Sequence, residues 1–115
     1  MQTRNIIQIN DFKSQFPKCY DAYLKCGGNN YKSLNLALDS LLNVYGIGII
    51  VPPVYSETDK FLGYISIIKY YPSNSLNIES GETTIIEDFK KYKTPFNPTK
   101  ITTLKALSIL ENALQ

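Results

Sequence analysis

Histidine and tryptophan are absent from this chain of 115 residues, and there are only two cysteines. Histidine is the side chain that most often moves protons and binds metals near neutral pH. Two cysteines alone do not supply the four ligands of a structural zinc site, and a cysteine nucleophile would lack its usual base. The lone Gly46-Ile47-Gly48 is not a phosphate-binding loop. We therefore expect no metal, no cofactor and no enzymatic activity.

The two cysteines, Cys19 and Cys26, lie seven residues apart in a segment that we expect to be helical. Two helical turns separate their Cα atoms by about 10 Å, whereas a disulfide requires less than about 7 Å. The spacing predicts two buried thiols on one helix face rather than a bridge. A reducing compartment fits this expectation.

Long hydrophobic runs and a large net charge are missing too. No apolar stretch approaches the roughly 18 residues of a membrane span, and the N-terminal MQTRNIIQIN lacks the apolar core of a signal peptide. The formal net charge is only +2, so long-range attraction to nucleic acid or membranes is weak. With 43% hydrophobic and 19% charged residues, the composition is that of a globular chain. The sequence predicts a cytoplasmic protein with one domain over residues 1–115 and no contact with a membrane.

Helical signals occur in three places. Residues 18–26 are followed by Gly27 and Gly28, which favour a helix end. In NNYKSLNLALDSLLNVYG, apolar residues recur at steps of three and four, which predicts an amphipathic helix of about 14 residues that ends at Gly46. Asn97 and Pro98 have the form of a helix N-cap followed by proline in the first turn. The buried stripe expected for that last helix is Ile101, Leu104, Leu107, Leu110 and Leu114.

Strand signals lie between the helices. Residues 47–51 and 61–71 are rich in β-branched and aromatic residues, and SETDK forms the turn between them. ETTIIEDF predicts a third strand, after a loop at residues 72–77. Residues 1–30 are interpreted as an N-terminal arm or as short helices before a core at 31–115. The prediction is an α+β fold in the order α-(α)-β-β-β-α, with helices on one face of a three-stranded, alternatively four-stranded, antiparallel meander.

Tyrosine is abundant, with nine copies beside five phenylalanines. Tyrosine suits interfaces because it buries a large area and keeps a polar tip. It is also simply common in strands, and we weigh the two interpretations equally. The candidate protein-binding residues are Tyr55, Tyr64, Tyr70, Tyr71 and Tyr92.

A basic segment follows an acidic one near the C-terminus. Glu79, Glu82, Glu87 and Asp88 precede it, and we interpret them as a solvated rim rather than a catalytic pair. FKKYKTPFNPTK then interleaves lysine with aromatic residues, a composition that neutralises phosphates and stacks on bases. An ordinary solvated loop has the same composition. The candidate nucleic-acid-binding residues are Lys90, Lys91, Lys93, Lys100 and Lys105.

Three phrases, YKSLNLALDSLLNVYGIGIIVPP, FLGYISIIKYY and KITTLKALSILENALQ, together resemble a class of small uncharacterised phage and mobile-element proteins. The resemblance covers residues 31–115 and is mostly hydrophobic pattern. It implies an accessory role, such as binding a host or phage protein, in some cases to block a defence system.

The order α-β-β-β-α is also similar to the double-stranded-RNA-binding domain, whose second helix begins with a lysine cluster. Lys100 and Lys105 lie near the expected positions. A KK-x-A-K cluster is missing, and the acidic SETDK replaces the glycine-histidine loop of that family. Antitoxins of the HicB type have a related sheet-and-helix plan, which implies a toxin-neutralising role.

The sequence thus favours a non-enzymatic protein-binding accessory or inhibitor of a phage or mobile element, with an anti-defence or antitoxin-like role. It would cover a partner's surface with its tyrosines, and the partner would be another protein or a second copy of the chain. The alternative is a nucleic-acid-binding domain that uses the C-terminal lysines.

Overall fold

The computed structural model describes residues 4–71, 76 and 78–114. They form an α+β fold, as predicted, with helices packed against an antiparallel three-stranded sheet. The helices are α1 (Ile9–Gln15), α2 (Pro17–Lys25), α3 (Leu34–Val44) and α4 (Phe96–Ala113). The strands are β1 (Ile47–Ile50), β2 (Pro53–Tyr55), β3 (Phe61–Tyr64), β4 (Ser66–Tyr70) and β5 (Gly81–Ile86). Short 3₁₀ turns occupy Gly28–Asn30 and Phe89–Lys91. Apart from Leu76, the predicted loop at 72–77 lies outside the described residues.

The first four strands are two arms of one long antiparallel hairpin. Ile50 pairs with Ile67 in the inner arm, β1–β4, and three residues further on Pro53 pairs with Tyr64 in the outer arm, β2–β3. The register is therefore continuous across the break between the arms. The inner arm and β5 form the sheet in the order β1-β4-β5, and the outer arm is a separate two-stranded sheet.

The prediction of a single strand over residues 61–71 is wrong, since the segment is divided at Ile65 into β3 and β4. Pro52 and Pro53 on the facing segment have no N–H groups, so the ladder of backbone hydrogen bonds is interrupted there. The Ile65 amide still donates to the Pro52 carbonyl across the break, at 3.2 Å. The predicted SETDK turn does exist, and it closes the outer arm.

The core lies between the helices and one face of the sheet. Along β4, Ser66 and Ile68 are fully buried, whereas Ile67 and Lys69 between them are partly exposed. The alternation means that one sheet face is covered by helices. The hydrophobic core contains residues of all four helices, of β1 and of β4, but no residue of β2 or β3. Its largest fully buried side chains include Phe12, Leu38, Leu42, Ile68, Leu107 and Leu110.

Helix α3 follows its sequence signals closely. Ser33 precedes it and its side-chain oxygen accepts a hydrogen bond from the Leu36 amide at 3.2 Å, which satisfies one free donor of the first turn. The helix has 11 residues rather than about 14. The chain then turns at Gly46, whose positive φ of 78° is favourable for glycine.

The described part of the N-terminal segment is short helices bound to the core. The Phe12 ring of α1 meets the rings of Tyr20 and Tyr23 of α2 edge-on, at centroid distances of 5.9 and 5.5 Å. Before α1, the side-chain amide of Asn35 makes two hydrogen bonds to the backbone. Its oxygen accepts from the Ile6 amide at 2.8 Å, and its nitrogen donates to the Arg4 carbonyl at 2.7 Å. The backbone of residues 4–6 is therefore fixed to α3.

Helix α4 departs from its predicted start and its predicted stripe. Its N-cap is Pro95, two residues before the predicted cap Asn97, and the helix begins at Phe96. Ile101 is 42% exposed, and Leu104 and Leu114 are half-buried. The stripe that faces the core is displaced toward small residues, because the helix lies close enough to β4 for the Thr102 hydroxyl to donate to the Ser66 hydroxyl at 2.6 Å. The buried residues are Pro98, Thr102, Thr103, Ala106, Leu107 and Leu110.

The prediction of two buried thiols is half wrong. Cys19 is fully buried, but Cys26 follows the last residue of α2 and is exposed. Both cysteines are free thiols. The absence of a disulfide agrees with the predicted helical spacing, whereas the helix ends too early to bring Cys26 onto the buried face.

Candidate functional site

Three aromatic side chains of the outer arm form a surface outside the core. The Phe61 ring lies edge-on to Tyr55 at a centroid distance of 6.0 Å and to Tyr64 at 5.2 Å. Tyr55 is 57% exposed, and Phe61 and Tyr64 are partly exposed. We call Tyr55, Phe61 and Tyr64 the aromatic hairpin surface.

A bulge and a polar turn set the geometry of this surface. The register of the outer arm shifts between Val54 and Tyr55, so that Tyr55 comes to face Phe61. The turn that follows is held by the Ser56 hydroxyl, which accepts hydrogen bonds from the amides of Thr58 at 3.3 Å and Lys60 at 3.1 Å. Serine stabilises such turns by bonding its own neighbouring backbone.

The outer arm extends away from the core. Its two strands contact chiefly each other and the 3₁₀ turn Phe89–Lys91. The radius of gyration is 14.9 Å, against about 13 Å for a compact domain of this length. Little of the aromatic hairpin surface is therefore used to build the core.

The 3₁₀ turn Phe89–Lys91 packs against the outer arm through a glycine. Gly63 has a φ of 149°, and a Cβ there would overlap with the Phe89 carbonyl. The neighbouring Tyr64 amide donates to the Tyr92 carbonyl at 2.9 Å. The Lys93 ammonium donates to the Leu62 carbonyl. The start of the lysine-rich segment therefore lies along β3, beside the aromatic hairpin surface.

The structure divides the five candidate tyrosines into two groups. Tyr55, Tyr64 and Tyr92 lie together on the outer arm and its adjoining segment. Tyr70 packs against the core from the end of β4. Tyr71 is exposed next to it, and its ring lies against Gly48 and 5.2 Å from the Lys69 ammonium.

The five candidate lysines also belong to two elements. Lys90, Lys91 and Lys93 are exposed beside the outer arm, and the Asp88 side chain accepts from the Lys90 amide at 3.1 Å. Lys100 and Lys105 are exposed on α4. The charge near the outer arm is mixed, because Glu57 and Asp59 are exposed in its turn.

The described thiol and carboxylate groups differ in burial. Burial first, and then the Glu111 carboxylate, raise the pKa of the Cys19 thiol to about 12, so it is protonated and unreactive near neutral pH. Within the described ranges, no three His, Cys, Asp or Glu side chains converge where a metal ion would bind. The rim carboxylates Glu79, Glu82, Glu87 and Asp88 are all exposed.

Sequence reasoning missed Phe61 as a member of the surface. A regular strand over residues 61–71 would place Phe61 and Tyr64 on opposite faces, because successive side chains alternate. The bulge and the positive φ of Gly63 bring the two rings to 5.2 Å instead. A glycine two residues after an aromatic residue was the one available signal of such an irregularity.

Comparisons with known proteins give no further constraint. No family model, curated protein or solved structure matches this chain. None of the described helices is long and apolar enough to cross a membrane.

Proposed function

We propose that this protein is a non-enzymatic binding domain that engages another protein through the aromatic hairpin surface and acts by covering part of that partner. One observation carries the proposal. Phe61 contacts both Tyr55 and Tyr64 on an arm that contributes nothing to the hydrophobic core. Preassembled aromatic clusters are frequent anchors of protein interfaces, because they bury area at a low cost in side-chain entropy.

The charges around this surface support a protein partner over a polyanion. Glu57 and Asp59 lie in the hairpin turn, whereas Lys90 and Lys91 lie on the adjoining 3₁₀ turn. A phosphate backbone would be attracted by one group and repelled by the other. A protein surface of mixed charge can complement both.

The resemblance of residues 31–115 to phage and mobile-element proteins supports a more specific form of this proposal. The partner would then be a host or phage protein, and covering its working surface would give an anti-defence or antitoxin-like effect. A second copy of the chain is the other protein partner that the same surface would accept.

Affinity purification from the natural host tests the proposal, with mass spectrometry and the absorbance ratio at 260 and 280 nm as readouts. The wild type is compared with a Tyr55→Ala/Tyr64→Ala double variant. The matched control is Leu24→Ala, which removes a similarly exposed apolar side chain (44%) from α2. We expect one stoichiometric protein with the wild type and the control, and at least about tenfold less with the double variant, since two anchors contribute about 1.4 kcal/mol or more. Equal recovery with the double variant would refute the proposal.

A second candidate function is nucleic-acid binding, and the position of Lys90, Lys91 and Lys93 beside Tyr64 and Tyr92 favours it. Neutralising three phosphates would weaken binding by about 40-fold between 50 and 200 mM salt. Titration of labelled single- and double-stranded oligonucleotides at both salt concentrations measures this dependence. Absence of binding at 50 mM salt would eliminate this function.

A further inference from the structure

Helix α3 carries apolar side chains on two sides. Ala37, Leu38, Leu41 and Leu42 face the core and are buried. Leu36 and Val44, however, are 56% and 58% exposed. They are eight residues apart, which places them on the same side of the helix with Ser40 between them. The same side also carries Asp39, Ser40 and Asn43, so the exposed surface of α3 combines two apolar side chains with polar groups.

The uncovered side of α3 borders a groove. Two depressions of about 510 and 350 Å³ share Leu36 and Asp39. The larger one extends along α3 past Val44 to Tyr31, whose hydroxyl is held 2.6 Å from the Ser40 hydroxyl. The smaller one passes between α3, the end of β1 and the start of α4. We call this surface the α3 groove, and its principal residues are Tyr31, Leu36, Asp39, Val44, Ile49 and Val51.

The charge of the groove specifies its occupant. Among the described residues that line the two depressions, Asp39 is the one charged side chain. It lies at the midpoint of α3 (Leu34–Val44), so two copies of the chain pairing symmetrically about this helix would bring two Asp39 carboxylates together. Like charges opposed in an apolar contact are unfavourable. A cation at the centre of the occupant would be attracted to the same carboxylate.

We propose that the α3 groove binds an amphipathic helical segment of another protein, with apolar residues spaced by three and four around one lysine or arginine. The apolar residues would cover Leu36 and Val44, and the cation would pair with Asp39. This is recognition of a helix in a groove. Because the groove and the aromatic hairpin surface belong to different elements, the protein would have two binding surfaces and join two partners.

A displayed library of random 12-residue peptides tests this inference. Peptides are selected on the immobilised full chain and counter-selected on Leu36→Glu, which changes an exposed side chain and leaves the buried side of α3 intact. Val44→Lys is the second variant, and circular dichroism verifies that both fold. We expect enriched peptides with apolar residues at helical spacing and one central cation. A synthetic peptide of that sequence should bind at least tenfold more weakly to either variant.

A charge exchange tests the role of Asp39. Asp39→Lys should weaken the selected peptide at least tenfold, and replacing the peptide's cation by glutamate should restore binding to Asp39→Lys but not to the wild type. The hairpin variant Tyr55→Ala/Tyr64→Ala should bind the peptide normally, which separates this inference from the proposed function. Peptides without a cation, or peptides that bind Leu36→Glu as well as the wild type, would overturn the inference. So would a concentration-dependent dimer in sedimentation that Leu36→Glu abolishes, because the occupant would then be a second copy.

Discussion

Substitution of Gly63 by alanine tests how the candidate surface is positioned. A Cβ at this residue would overlap with the Phe89 carbonyl, which belongs to the backbone and is not free to rotate away. The 3₁₀ turn Phe89–Lys91 must therefore move from the outer arm. The movement breaks the hydrogen bond from the Tyr64 amide to the Tyr92 carbonyl, which is 2.9 Å long.

The expected cost has two parts. Loss of the hydrogen bond costs about 1 kcal/mol. Alanine at a φ of 149° adds on the order of 1–3 kcal/mol of backbone strain. The local stability of the outer arm should therefore fall by about 2–4 kcal/mol, and amide protection at Tyr64 by about 30-fold or more. Amides of the core, such as those of Leu41 and Leu107, should keep their protection because the core contains no residue of β2 or β3.

Hydrogen exchange measured by NMR resolves these amides one by one. Gly48→Ala is the matched control, since it adds the same methyl group to a strand where the nearest atom, 3.1 Å away, belongs to the movable Tyr71 ring. Unchanged protection at Tyr64 in Gly63→Ala would refute the assigned contact. An equal loss of protection at Leu41 and Leu107 would refute the independence of the outer arm.

Three further predictions concern the core and its helices. Thr102→Val should lower the free energy of unfolding in urea by about 1–3 kcal/mol, because it leaves the fully buried Ser66 hydroxyl without its partner 2.6 Å away. Adding Ser66→Ala should recover part of that loss. Strictly additive effects of the two substitutions would contradict the pairing. Glu111→Gln should lower the free energy of unfolding by about 1 kcal/mol. The Glu111 carboxylate accepts hydrogen bonds from the backbone amides of Lys18 and Cys19 at the start of α2, whereas the side-chain amide of glutamine has only one acceptor oxygen. An unchanged urea midpoint would exclude this capping role. Thiol alkylation of the folded protein, followed by mass spectrometry, should label Cys26 alone. Cys19, with a pKa raised to about 12, should stay protonated and unlabelled up to about pH 10; labelling of Cys19 at pH 8 in folded protein would refute its burial.

The elements that sequence reasoning predicted well are those whose signals are local. The end of α3 follows from Gly46, and its buried side follows from leucines at helical spacing. The error in α4 has a different origin. Its side chains were ranked by hydrophobicity, but close packing on the sheet selected Thr102, Thr103 and Ala106, and left Ile101 exposed. Helix periodicity defines which residues share a side, whereas the distance to the neighbouring layer decides which side is buried.

The candidate site was predictable only in part, because its geometry depends on contacts between distant residues. Tyrosine content indicated Tyr55 and Tyr64, but not that Phe61 would join them or that Tyr70 would pack against the core. Nothing local to residues 89–93 indicates that they lie along β3. That contact requires Gly63, some thirty residues earlier, to leave room for a carbonyl group.

The continuous register of the long hairpin explains how one segment serves both the core and a surface. Burial of Ile47 and Ile68 fixes the pairing of the inner arm, because a slip by one residue would turn every side chain to the opposite face. That register extends across Pro52 to the outer arm. The core therefore determines which residues of β2 and β3 oppose each other, although no residue of these two strands belongs to the core. The side chains of the outer arm are then constrained by the bulge and by Gly63 rather than by core packing. Substitutions at Tyr55 and Tyr64 should accordingly change binding far more than the free energy of unfolding, and urea unfolding of the Tyr55→Ala/Tyr64→Ala variant measures this directly. A loss of more than about 2 kcal/mol would mean that the rings serve the fold, since surface substitutions usually stay within about 0.5 kcal/mol.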